Sequence, residues 1–146
     1  MRKFGIILFA LAILSCQEIE NCGTDNNQDF MIVRFYDLES EASKKIGFTI
    51  TAENSPYSFT PFTDSTGVGL PLNPDDPTTT FFFDSDTSHF EVEISYTEKQ
   101  VSIFDPACDP SYIFVGLDTV RQTFDSTVVV GTVTNRLIDT NVEIYF

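Results

Sequence analysis

From residue 29 onward the chain alternates apolar and polar side chains in short bursts separated by turn residues. The clearest burst is His89 to Tyr96, where Phe90, Val92, Ile94 and Tyr96 alternate with Glu91, Glu93 and Ser95. A period of two sorts these residues onto opposite faces of a pleated strand, one buried and one wet. Ile46 to Ala52 alternates in the same way through Ile46, Phe48 and Ile50. Asp29 to Asp37 (DFMIVRFYD) is largely apolar on both faces, which predicts a central or well-covered strand. Further strands are expected at Thr78 to Asp84, Gln100 to Phe104, Tyr112 to Leu117, Ser126 to Thr134 and Asn141 to Phe146. Val68 to Leu72 reads as a short strand at a sheet edge, because Pro71 cannot donate to a ladder. Asp118 to Phe124 either continues the preceding strand or bends away from it.

The intervening segments supply the turns. Leu38 to Lys45 is polar and reads as a loop or a single helical turn. Glu53 to Thr66, with Pro56 and Pro61, reads as a loop or an irregular edge strand. Asn73-Pro74-Asp75-Asp76-Pro77 is a turn with a cause: proline presets φ, and Asn and Asp hydrogen-bond locally. Glu98-Lys99 reads as a turn and Asp105 to Pro110 as a loop. About seven to nine short strands, turns spaced by about 8–12 residues and no helical period predict an all-β chain. The expected architecture is a single antiparallel β-sandwich, immunoglobulin-like, over 29–146, with its last strand pinned in a sheet. No repeat, linker or second domain is visible.

The first residues differ in kind. After Met1-Arg2-Lys3, Phe4 to Leu14 is an uncharged apolar run of 11 residues. A bilayer span needs about 20. A basic start, a short apolar stretch and a small residue ahead of a cut describe a secretory signal peptide over 1–15. Ile13-Leu14-Ser15-Cys16 resembles the lipobox of bacterial lipoproteins, in which the cysteine thiol receives a diacylglyceryl group and the peptide is cut just before it. Cys16 is therefore the expected lipid attachment site, and 16–28 the tether. The membrane is a partner through that anchor. Gln17-Glu18-Ile19-Glu20 resembles the surface-export signal of lipoproteins from the Bacteroidota, which leaves the cell surface and the periplasmic face of the outer membrane both open.

With Cys16 lipidated, Cys22 and Cys108 remain. Outside the cytoplasm an even remainder reads as a disulfide. By loop-closure entropy such a bridge contributes roughly 4–5 kcal/mol. A metal or redox use is disfavoured by the lack of C-x-x-C and by the presence of one histidine, His89. Without residues 1–15, six basic residues face 22 acidic ones, a net charge of −16. Nucleic-acid phosphates demand a basic face, so nucleic acid is excluded as a partner. The charge reads instead as solubility and self-repulsion.

Several segments taken together resemble a family of uncharacterised lipoproteins of the Bacteroidota. They are the lipobox, IVRFYD, DSTGVGLPLNPDDPTTTFFF, ISYTEKQVSIFDPAC and the closing NVEIYF. The order and spacing match over nearly the whole mature chain. The resemblance implies a conserved early and late cysteine pair, matching Cys22 and Cys108, and no assigned activity. The family commonly carries glycine after the later cysteine, where this chain has Asp109.

Few residues suggest chemistry. His89 has no nucleophile motif such as G-x-S-x-G around it. The oxygen-rich stretches Asn73 to Asp76 and Asp84 to Asp86 do not match the calcium-loop pattern. Glu91 and Glu93 share one wet strand face rather than flanking a cleft. Phe81-Phe82-Phe83 is the most apolar spot of the mature chain, with Phe82 opposing its two neighbours. These rings form a candidate partner-binding patch if one sheet face is bare, and ordinary core if a segment such as 53–66, with Phe59 and Phe62, covers them. The expected function is a non-catalytic, lipid-anchored envelope protein that requires no metal or other cofactor and serves a structural or protein-binding role. The alternative is a carbohydrate- or calcium-assisted recognition module of a larger envelope assembly. Its partner would be an unknown envelope protein or glycan. The absence of tryptophan weakens the sugar reading.

Overall fold

The computed structural model describes residues 30–53, 62–102, 111–134 and 139–146. In chain order the strands are β1 (Met31–Tyr36), β2 (Ile46–Ala52), β3 (Phe62–Ser65), β4 (Gly67–Leu70), β5 (Thr78–Asp84), β6 (His89–Ser95), β7 (Glu98–Ser102), β8 (Ser111–Val115), β9 (Asp118–Gln122), β10 (Ser126–Val129) and β11 (Val142–Tyr145). The fold is all-β, and no helix among the described residues is long and apolar enough to cross a membrane. One sheet has the order β10-β11-β1-β4 and the other β3-β2-β5-β6-β9, while β7 and β8 pair with each other.

Alternation in the sequence becomes burial in the fold. β1 buries Met31, Val33 and Phe35 and turns Ile32, Arg34 and Tyr36 outward. Val142 and Ile144 of β11 lie in the same inner layer. The facing sheet contributes Phe48 and Ile50 from β2, Phe81 and Phe83 from β5, and Val92 and Ile94 from β6. Phe35 meets Phe83 edge-on at 6.2 Å between ring centroids and Phe48 at 6.5 Å, so the rings of the two sheets interlock. Each such ring contributes on the order of 2–3 kcal/mol by leaving water. The result is a two-layer β-sandwich.

Among the described residues, every strand pair is antiparallel except one. β11 runs parallel to β1, with Val33 opposite Val142 and Phe35 opposite Ile144. Its direction is set by the antiparallel return from β10, and that return lays it alongside β1 in the same sense. The described residues hold eleven strands, against the seven to nine expected, because two stretches not counted as separate strands each form one. The segment 53–66, read as a loop or edge strand, holds edge strand β3 over its last residues. Asp118 to Phe124 bends away as β9, because the chain turns at Gly116. Gly116 has φ +71°, and a Cβ there would lie 2.1 Å from Thr97 Oγ1, so only glycine fits. Glu98-Lys99 belongs to β7 rather than to the turn before it. Of the immunoglobulin hallmarks, the core tryptophan has no counterpart in this composition, and the cysteines lie outside the described residues.

Asn141 ties three segments together and is fully buried. Ile32 N donates to its Oδ1 at 2.9 Å, and its Nδ2 donates to the carbonyls of Gly131 at 3.0 Å and Val133 at 2.8 Å. Val133 in turn bridges to Val115, the last residue of β8, and Thr134 exchanges hydrogen bonds with the Phe114 main chain. The β7–β8 pair is thereby joined to the sheet of β1.

Candidate functional site

The phenylalanine triplet splits between two environments. Phe81 and Phe83 are fully buried and unavailable to a partner, because their positions on β5 face the opposing sheet. Phe83 packs edge-on against Phe48 and Phe124. Phe82 points the other way and is half-buried on the outer face, between Thr51 of β2 and Glu91 of β6. Of the two readings open for the triplet, ordinary core therefore holds for Phe81 and Phe83, and the candidate partner-binding patch reduces to Phe82. Of the segment 53–66, the candidate cover for these rings, residues 54–61 lie outside the described residues, as do Cys16, Cys22 and Cys108.

Around Phe82 the outer face is polar and internally paired. His89 stacks on the Phe82 ring, with centroids 5.8 Å apart and planes 20° from parallel. Its Nδ1 is 2.5 Å from Asp84 Oδ1, and the two residues sit opposite one another in the β5–β6 register. Arg121 of β9 pairs with Glu91 through Nη2, and its Nε lies 3.4 Å from Glu93 Oε2. The two carboxylates that the sequence places on one wet face are thus joined by an arginine from the next strand. Among the described residues, no hydroxyl hydrogen-bonds to His89. The chemistry this face presents is a carboxylate-held imidazole over an aromatic ring.

The oxygen-rich turns spend their oxygens on themselves. Asn73 Oδ1 accepts from Asp75 N at 2.9 Å, and Asp76 Oδ1 accepts from the main-chain N and hydroxyl of Thr78 at 3.0 and 3.1 Å. No group of three or more His, Cys, Asp or Glu side chains gathers among the described residues. Beside this turn, Tyr96 donates to Asn73 O at 3.1 Å, and its phenol is held above its ordinary pKa by burial and by the charges of Asp76 and Asp75.

Sequence reasoning missed a second aromatic feature. Tyr36 of β1 and Tyr145 of β11 stack on the outer face of the other sheet, with centroids 5.3 Å apart and planes 24° from parallel. Tyr145 Oη donates to Glu143 Oε2 at 2.8 Å, and that hydrogen bond is the main cause holding its phenol above the usual range. Arg34 stands opposite Glu143 in the parallel register. The outward positions of IVRFYD and NVEIYF carried this signal, but the pairing of the first strand with the last was needed to read it.

No family model, curated protein or solved structure matches this chain.

Proposed function

We propose that the chain is a lipid-anchored protein of the bacterial cell envelope, held at the outer membrane through Cys16. Its β-sandwich acts as a structural or protein-binding module and is not an enzyme. The observation that carries this reading is Ile13-Leu14-Ser15-Cys16 at the end of an uncharged run too short to span a bilayer. A cysteine carrying two or more acyl chains holds a membrane without any transmembrane helix. The acidic residues after Cys16 resemble a surface-export signal, and the cell surface and the periplasmic face of the same membrane are both open to the anchored domain.

A Cys22–Cys108 disulfide belongs to the same reading. Cys22 leads into β1 and Cys108 into β8, and these strands are tied through Asn141 and Val133. Such a bridge would staple the tether to the domain.

Feeding an alkyne fatty acid to a Bacteroidota host expressing the protein tests the anchor. The wild type is expected to take up label and sediment with membranes, and Cys16→Ala to lose both. Retention of label in Cys16→Ala refutes the anchor. Protease treatment of intact cells assigns the membrane face. Cross-linking and pull-down from the host membrane tests the protein-binding role.

One observation favours the carbohydrate reading as a second possibility: the outward Tyr36–Tyr145 pair, flanked by Arg34 and Glu143. Aromatic rings beside hydrogen-bonding side chains suit sugar faces. A glycan array probed with and without calcium, for wild type and Tyr145→Ala, decides it.

A further inference from the structure

We propose that the open edge of β10 accepts an extended basic strand from a partner protein. This inference rests on the protein-binding reading above and names its surface and chemistry. Among the described residues, strand β10 is hydrogen-bonded to a sheet neighbour on one side only, β11. A free strand edge presents main-chain donors and acceptors to any passing chain, and proteins guard such edges with charge or proline. The other outer strands of the two sheets are guarded. β3 carries Asp64, which pairs with Lys45; β4 runs into Pro71; β9 carries Asp118 and Arg121. β10 lies in Ser126 to Thr134, STVVVGTVT, with no charge and no proline.

The side chains agree with the backbone. Of the exposed large apolar side chains among the described residues, Val120 lies on β9, Val128 on β10 and Val130 directly after it, at 56%, 44% and 51% exposure. Past Val130 the chain is engaged, since Thr132 O accepts from the amides of Gly116 and Leu117. The free run is therefore the four residues of β10, enough for a short augmenting strand whose alternate side chains cover the valines.

Charge selects the occupant. The chain carries −14 overall. Asp125 is exposed directly ahead of β10, and on the paired side of the strand Glu143, opposite Val128, and exposed Asp139, just before Asn141, add to the negative field that reaches the edge. A second copy would set like charges against these. A strand alternating lysine or arginine with β-branched residues meets them with opposite charge.

Fluorescence anisotropy with a labelled peptide alternating valine and lysine tests this, with a valine–glutamate peptide as comparison. The lysine peptide is expected to bind the wild type at least about tenfold tighter. The double variant Val128→Lys/Val130→Lys should weaken it by about tenfold or more. Leu38→Lys/Val101→Lys, which adds the same charge at exposed sites elsewhere, should leave it within about twofold. Equal weakening in both variants would mean attraction by net charge alone and would overturn the proposal, as would no binding. Sedimentation of a wild-type dimer that Val128→Lys/Val130→Lys dissolves would overturn it in favour of a second copy. A membrane partner captured equally by wild type and the β10 variant would sink the edge site and leave the protein-binding role standing.

Discussion

Asn141 shows how much one buried side chain decides. Its buried amide group satisfies the Ile32 N–H and the Gly131 and Val133 carbonyls, all three on half-buried residues. Asn141→Ala orphans all three. A buried unsatisfied group costs about 1–3 kcal/mol and a half-buried one less, so the variant should lose roughly 2 kcal/mol or more in urea denaturation. A loss below about 1 kcal/mol would mean that the amide is not what joins these segments. Asp37 offers a pH test at the same scale. Its Oδ1 accepts from Ser40 N at 3.0 Å and from the Ser40 hydroxyl at 2.8 Å, and these bonds, with Lys44 nearby, hold its pKa below the ordinary aspartate value. The folded pKa is depressed, so its contribution is present above the unfolded value and disappears as pH falls through the folded one. NMR titration should place the Asp37 midpoint below that of an unstructured aspartate, and Ser40→Ala should raise it. An unchanged midpoint in Ser40→Ala would remove the hydrogen bonds as the cause.

Strand β5 separates what alternation reveals from what it hides. The period of two in Thr78 to Asp84 requires Phe82 to oppose Phe81 and Phe83, and the structure has that arrangement. Which side faces the core depends on the sheet across from it. Phe83→Ala empties a site packed by Phe35, Phe48 and Phe124 and should cost about 3–5 kcal/mol. Phe82→Ala removes a half-exposed ring stacked on His89 and should cost about 1 kcal/mol or less. Equal costs in thermal denaturation would contradict the assignment of faces. Elements with strong local causes were legible from the chain: β2 and β5 run over the predicted residues, and β4 sits at an edge as Pro71 required. Elements whose existence depends on a distant neighbour were not. β3 lies in a proline-bearing segment and forms a strand through pairing with β2.

Across the whole molecule, charge and topology set the behaviour. A chain of −14 with few basic side chains is self-repelling, and salt screens that repulsion. Raising sodium chloride from low to physiological strength should therefore raise the melting temperature; a fall would imply that ion pairs such as Arg121 with Glu91 and Glu93 outweigh the net charge. The candidate sites were less legible than the fold. The Phe82–His89–Asp84 group and the Tyr36–Tyr145 stack each need two strands in register, and the β10 edge needs a strand order.

The sequence by itself determined that this chain is all-β and which residues of each clear strand share a face, because side-chain alternation is a local consequence of the pleat. It also located the lipobox-like run and the acidic charge, which are properties of composition. Only the tertiary structure decided that β11 lies parallel to β1, that Asn141 is buried and satisfied, and that β10 is the end strand of its sheet among the described residues. Those outcomes rest on contacts between residues far apart in the chain, and no local periodicity encodes which strand becomes another's neighbour.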